Sequence, residues 1–354
     1  MSWFDDIAAR RAERRRIERR RRRTRIAVAA AVILAAAVAA VAVMRSNGSG
    51  DGHRAATAGS RIAVGAPPAA RSQTGLPLAR PAFALHGLAH PPLHVYFAKP
   101  PRAGLLVNLT TGQVLWALHP TQRVRIASLT KLMTAWLAVQ HTTPRTRVFI
   151  RRSAVDVEGS KVGVLPVGRR VPIEPLLYGL LLPSGNDAAN AIAQNVAGSK
   201  GRFVRLMNEE AAHLGLGCTR YSTPSGVVDR GNYSCAEDLA VLAHVDMSSR
   251  RIDRVVRTYI ANLRFPIRSH HLWLENDNPL LIYHYRGTTG LKTGFTAAAG
   301  RCLVGTAERH GVRLAAIVLH SPSPGTQARR LLNAAFTQVY GQRPVREPAW
   351  PPGA

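Results

Sequence analysis

Ser128 and Lys131 stand three residues apart at the head of an apolar, helix-patterned stretch, SLTKLMTAWLAVQ. On a helix this spacing puts both side chains on one face, with Cβ atoms about 5–6 Å apart. An amine so placed can take the proton of the alcohol and leave an oxygen able to attack a carbonyl. Ser-x-x-Lys is also short enough to occur by chance, in which case the pair is a solvated helix face. Lysine usage argues for chemistry: the chain has 43 Arg and only five Lys, at positions 99, 131, 161, 200 and 292. Arg cannot give up its proton in a protein, whereas a Lys that is buried or close to another cation can do so near neutral pH. A base in this position has to be Lys.

Two further triplets follow in order. Ser184-Gly185-Asn186 lies between the apolar run LLYGLLLP and a helical pattern, so a turn there can present a hydroxyl and an amide to a cleft. The hydroxyl could relay a proton to a leaving group and the amide could hold a peptide backbone. A helix N-cap is the plain alternative for this turn. Lys292-Thr293-Gly294, followed by Phe295, reads as a strand. There an ammonium and a hydroxyl suit a substrate carboxylate, Gly allows close backbone approach, and a second cation lowers the pKa of Lys131 if the two are near. An exposed turn is the alternative here too.

These residues need elements to hold them. Apolar runs at 104–108 and 113–118, separated by Thr110-Thr111-Gly112, predict an opening β-hairpin. A helix is predicted at 128–140, and four more at 173–182, 188–197, 202–214 and 236–245, which make the middle of the chain an all-helical lobe. Strand character returns at 281–285, 301–308 and 313–320, before a last helix at 326–340. Strands at both ends with helices between predict an α+β fold whose antiparallel sheet is assembled from the two ends.

Charge and composition exclude several classes. The formal net charge is +28, and eleven Arg with four acids in residues 1–25 account for +7 of it. The rest is spread thinly, without a nucleic-acid-binding motif, so no nucleic-acid partner is expected. Residues 26–44 follow the basic run and hold only Ile, Ala, Val, Leu and Met. As a helix they reach about 28 Å, enough for a bilayer core. The flanking Arg residues orient the N-terminus to the cytoplasm and the remainder outside. A retained anchor is favoured over a cleaved signal, because the basic lead is long for a signal peptide.

The layout is then a basic cytoplasmic segment (1–25), a transmembrane anchor or signal (26–44), a flexible linker (45–95), a catalytic domain (96–342) and a Pro-rich tail (343–354). Cys218, Cys235 and Cys302 form no metal-ligand pattern. Cys218 and Cys235 flank a loop and are the candidate disulfide pair, with unpaired buried thiols as the alternative. His270-His271 and His86, His90 and His94 invite a metal reading, but none sits in a metal-binding spacing. No metal or cofactor is expected.

The ordered set Ser-x-x-Lys, Ser-x-Asn, Lys-Thr-Gly resembles that of penicillin-binding proteins and serine β-lactamases. Its surroundings are similar to the low-molecular-mass D-alanyl-D-alanine carboxypeptidases: ASLTKLMTA (127–135), LLYGLLLPSGNDAANAIA (176–193), FVRLMNEEAAHLGL (203–216), ENDNPLL (275–281) and GLKTGFTAAAGRCLV (290–304). The resemblance spans about 96–340. It implies a five-stranded antiparallel sheet flanked by helices, with an active site between sheet and helical lobe. It also implies a peptidoglycan stem peptide ending in D-Ala-D-Ala as substrate, and β-lactam antibiotics as inhibitors. Ser128 would attack the penultimate D-Ala carbonyl, with the N–H groups of Ser128 and Phe295 as oxyanion hole.

The sequence departs from the family in two respects. Many relatives carry a second, all-β domain and a C-terminal amphipathic anchor, whose place the N-terminal span takes here. Relatives also often have an Arg for the terminal carboxylate after the strand at 313–320, where this chain has His320-Ser321-Pro322-Ser323-Pro324. A serine β-lactamase and a non-catalytic wall-associated scaffold are the competing readings. The first lacks a Glu at the expected place, since Glu158 and Glu174 both precede Ser184, and the second is disfavoured by the intact chemical residues.

Overall fold

The computed structural model describes residues 83–344, 350 and 351. The basic run and the apolar segment at 26–44 lie outside them; among the described residues no helix is long and apolar enough to cross a membrane.

In chain order the strands and helices are β1 (Ala103–Asn108), β2 (Val114–Leu118), β3 (Val124–Arg125), a 3₁₀ turn (Ala127–Thr130), α1 (Lys131–His141), β4 (Arg147–Phe149), α2 (Arg152–Val155), β5 (Arg170–Pro172), α3 (Ile173–Leu181), α4 (Asn186–Ala197) and α5 (Lys200–His213). There follow β6 (Tyr233–Ser234), α6 (Ala236–Ser248), α7 (Arg250–Val256), β7 (Ile260–Arg264), β8 (His271–Glu275), α8 (Pro279–Ile282), β9 (Thr288–Thr296), β10 (Gly300–Arg309), β11 (Val312–Ser321) and α9 (Pro324–Ala334).

The central sheet has five antiparallel strands in the order β2-β1-β11-β10-β9, so both ends of the folded chain build it, as the pattern predicts. Side chains alternate between its faces. Leu105, Val304 and Ile317 join a core shared with the helical lobe, while Leu106, Leu303 and Val318 join a second core beneath α9. β9 is an edge strand, which leaves one row of its backbone groups open to a ligand.

The helices predicted in the lobe are present within a few residues of their expected bounds. The strand expected at 281–285 is absent. Asn278 accepts from Leu280 N at 3.0 Å and Pro279 opens the first turn, so the chain forms α8 there instead. The helix expected from Ser128 also begins later: Ser128 lies in the 3₁₀ turn, and the α-helix starts at Lys131.

Three two-stranded pairs, β3–β6, β4–β5 and β7–β8, were not legible as strands. Packing also starts before His94. Phe83, Leu85 and Leu88 lie against the main core, and Leu93 N donates to Leu115 O at 3.0 Å, within the stretch read as linker. Cys218 and Cys235 form a disulfide, and Cys302 is a buried free thiol.

Candidate active site

The 3₁₀ turn and α1 place the first pair. Lys131 Nζ lies 2.8 Å from Ser128 Oγ and donates to Ser225 O, also at 2.8 Å. Lys131 is wholly buried, whereas Ser128 keeps part of its surface open, so a substrate can reach the alcohol but not the amine. Burial in the apolar root of α1 pushes the ammonium well below the usual lysine range, and the nearby Lys292 charge lowers it further. Asp187 and Asp277 oppose that shift. Ala127, just before Ser128, is held at φ 47°, a strained left-handed conformation of the kind that clusters at functional sites.

β9 brings the third triplet alongside. A Cβ built on Gly294 would stand 2.8 Å from Ile126 O and 3.3 Å from Ser128 N, so only glycine lets the strand approach this closely. Lys292 is buried, and its Nζ donates to Thr293 O at 3.0 Å. Phe295 follows with its ring half-exposed at the strand end.

The second triplet forms the turn between α3 and α4. Ser184 adopts φ 61°, and its Oγ is buried with no hydrogen-bond partner among the described residues. It is not a helix cap: Gly185 occupies that position, without a side-chain bond. Asn186 is buried; its Nδ2 donates to Glu158 O at 2.7 Å and its N to Ser160 O at 2.8 Å.

Asp187, which the sequence reading did not single out, completes this turn. Its carboxylate accepts from Val162 N and Gly163 N, both at 2.9 Å, and pins the 158–163 loop to the head of α4. A strap from Thr223 to Asp229 was also missed. Pro224 O accepts from Thr134 Oγ1 at 2.6 Å, Ser225 O from Lys131, and Asp229 Oδ1 from Thr296 Oγ1 at 2.8 Å. Gly226 is in the left-handed region, so close to the 3₁₀ turn that a Cβ would overlap Ala127 O. The loop's lack of periodicity hid it from pattern reading, because its function is carried by carbonyl groups that every residue has.

The candidate residues thus meet. Ser128, Lys131 and Gly294 adjoin, and Lys292 and Asp187, the latter next to the Ser184–Asn186 turn, lie close enough to act on Lys131 electrostatically. An α+β sheet with these three triplets gathered at its edge strand defines the class of serine acyl-transfer folds shared by penicillin-binding proteins. The D-alanyl-D-alanine carboxypeptidase family, peptidase S11, matches residues 99–323, and the chain belongs to that family.

Among its relatives, the D-alanyl-D-alanine carboxypeptidase DacF of Bacillus subtilis is 32% identical over 245 residues, covering 67% of this chain and 62% of that protein. DacD of Escherichia coli is 34% identical over 241 residues, covering 64% of this chain and 61% of that protein. The chain therefore spans about three-fifths of the length of these curated relatives. The crystal structure of the Streptomyces K15 DD-transpeptidase superposes with a TM-score of 0.65 at 29% identity, covering 69% of this chain and all of that one.

Proposed function

We propose that this protein is a serine D-alanyl-D-alanine carboxypeptidase that removes the terminal D-Ala of peptidoglycan stem peptides. The observation that carries the reading is a wholly buried amine, Lys131, at 2.8 Å from a reachable alcohol, Ser128. Lys131 takes the Ser128 proton as Ser128 attacks the carbonyl of the penultimate D-Ala, forming an ester and a tetrahedral oxyanion. The N–H groups of Ser128 and Phe295 hold that oxyanion. Ser184, whose hydroxyl has no hydrogen-bond partner among the described residues, relays the proton from Lys131 to the leaving D-Ala amine as the C–N bond breaks, which returns Lys131 to the neutral form. Asn186 orients the peptide backbone, and Lys292 and Thr293 face the terminal carboxylate, with Gly294 keeping β9 close. Water then attacks the ester, Lys131 takes its proton, and that proton passes to Ser128 Oγ as the acyl–oxygen bond breaks.

β-Lactams acylate the same Ser128 on this reading. A β-lactamase is disfavoured because Glu174, a possible activator of deacylating water, is committed to Arg251 at 2.6 Å. The test incubates the full chain with a labelled penicillin and with a D-Ala-D-Ala peptide. Stoichiometric labelling, D-Ala release and loss of both in Ser128→Ala are expected. Label that survives the substitution overturns the mechanism, fast penicillin turnover without D-Ala release favours a β-lactamase, and neither label nor release favours a scaffold.

The compartment is part of the same proposal. Residues 26–44 anchor the chain in the cytoplasmic membrane with residues 1–25 inside and the catalytic domain outside, where its substrate lies. Protease added to intact cells should digest the catalytic domain and spare the N-terminal segment; the reverse pattern excludes this orientation.

A further inference from the structure

Two small antiparallel strand pairs, β4–β5 and β7–β8, combine exposed arginines with exposed apolar side chains. On β4–β5 the outward residues are Arg147 and Phe149, with Arg170 in register opposite Phe149 and its guanidinium carbon 6.0 Å from that ring. On β7–β8 they are Ile260 and Arg264, with Trp273 on the neighbouring strand opposite Asn262. Arg169 Nη1 donates to Pro266 O at 3.3 Å and joins the two strand pairs. Trp273 is 57% exposed, Ile260 44% and Phe149 40%, which puts them among the most exposed large apolar side chains of the described residues.

One acid, Glu275, lies on β8 in register with Ile260. Arg147 and Arg169 bond only main-chain carbonyls, and none of Arg147, Arg169, Arg170 and Arg264 bonds a carboxylate among the described residues. This contrasts with Arg251, Arg257 and Arg313, each paired to a Glu or Asp.

We propose that these joined strand pairs dock the catalytic unit on an anionic phospholipid surface. Uncompensated guanidinium groups are drawn to lipid phosphates, and Trp and Phe beside them settle at headgroup depth. A second copy of this chain would bring like charges together. A hydrophilic polyanion would leave the indole and the aliphatic side chains in water. Both strand pairs are short and anchored from below by buried Val148, Leu272 and Leu274, so docking needs no refolding. The inference rests on the reading that this chain works at a membrane.

The test reconstitutes the full chain in nanodiscs of phosphatidylcholine alone, or of phosphatidylcholine and phosphatidylglycerol in equal amounts, and follows amide hydrogen exchange. Co-elution with neutral discs reports anchoring; failure to co-elute overturns the membrane reading separately. Docking is expected to slow exchange several-fold over 147–171 and 260–275 in the anionic discs only. Arg169→Glu with Arg264→Glu should abolish that protection, while Arg202→Glu with Arg205→Glu, on the exposed face of α5, should leave it. Equal exchange in both lipids, or equal loss in the α5 variant, overturns the proposal, the second outcome by showing general charge attraction instead of a docking face.

Discussion

Thr296 Oγ1 donates to Asp229 Oδ1 at 2.8 Å, and this bond ties the end of β9 to the strap whose Ser225 carbonyl holds the Lys131 amine. The strap therefore spans from the base to the strand that carries Phe295. One end is held by the base that bonds the nucleophile, the other by Thr296, whose hydroxyl bonds Asp229.

If that span sets the width of the site, breaking either partner has one consequence. Asp229→Ala and Thr296→Val should each slow acylation by a labelled penicillin about tenfold, the size expected for a hydrogen bond to a charged group worth roughly 1.5 kcal/mol. The double variant should be no slower than either single one, because both remove one interaction. Asp229→Asn, whose amide oxygen still accepts, should retain most of the rate. Additive losses would show that the two residues act separately.

The pH dependence of acylation tests the base. Burial and the Lys292 charge lower the Lys131 pKa, while Asp187 and Asp277 raise it. A base acts once it has lost its proton, so the rate should rise with pH and level off well below the ordinary lysine value of about 10.4. Lys292→Met removes a depressing charge and should move the rising limb to higher pH. Asp277→Asn removes an opposing one and should move it lower. A limb that stays in place in both variants assigns the proton transfer to another group.

Glycine at the strand–nucleophile contact gives a purely steric prediction. Gly294→Ala introduces a methyl 2.8 Å from Ile126 O, a backbone atom that has no rotamer to escape into. β9 must retreat from Ser128, and a displacement near 1 Å costs on the order of 100-fold in rate. Penicillin labelling should fall by about that factor while the melting temperature drops by only a few degrees. Unchanged labelling would mean that the two segments are not held as closely in solution.

Much of this site was legible in the sequence because its chemistry depends on side-chain type. Only Lys can serve as base beside Ser128, only Gly fits at 294, and apolar strand-like runs marked β10 and β11. What was missed depends on main chain or on tertiary context. Ser225 contributes a carbonyl, and Asp187 resembles any acid in a helix's first turn. β4 and β5 have three residues each, too short to show a period. The run at 281–285 has the β-branched and aromatic residues of a strand, but Asn278 caps and Pro279 opens a helical turn just before it.

Asp246 supplies the last prediction, one of stability. It lies in α6, fully buried, with neither carboxylate oxygen bonded among the described residues, and burial alone pushes its pKa well above the usual carboxylate range. The folded chain keeps a proton that the unfolded chain releases above about pH 3.9. Folding then binds more protons than unfolding, so stability falls as pH rises between that value and the raised one, by up to about 1.4 kcal/mol per pH unit. Asp246→Asn preserves the shape without the titration. Melting curves of the two proteins should nearly coincide around pH 4 and separate toward pH 7, with the variant the more stable. A wild type that equals or exceeds the variant at pH 7 would mean that Asp246 is ionised and paired in solution, by an ion or water that reaches the interior of the helical lobe.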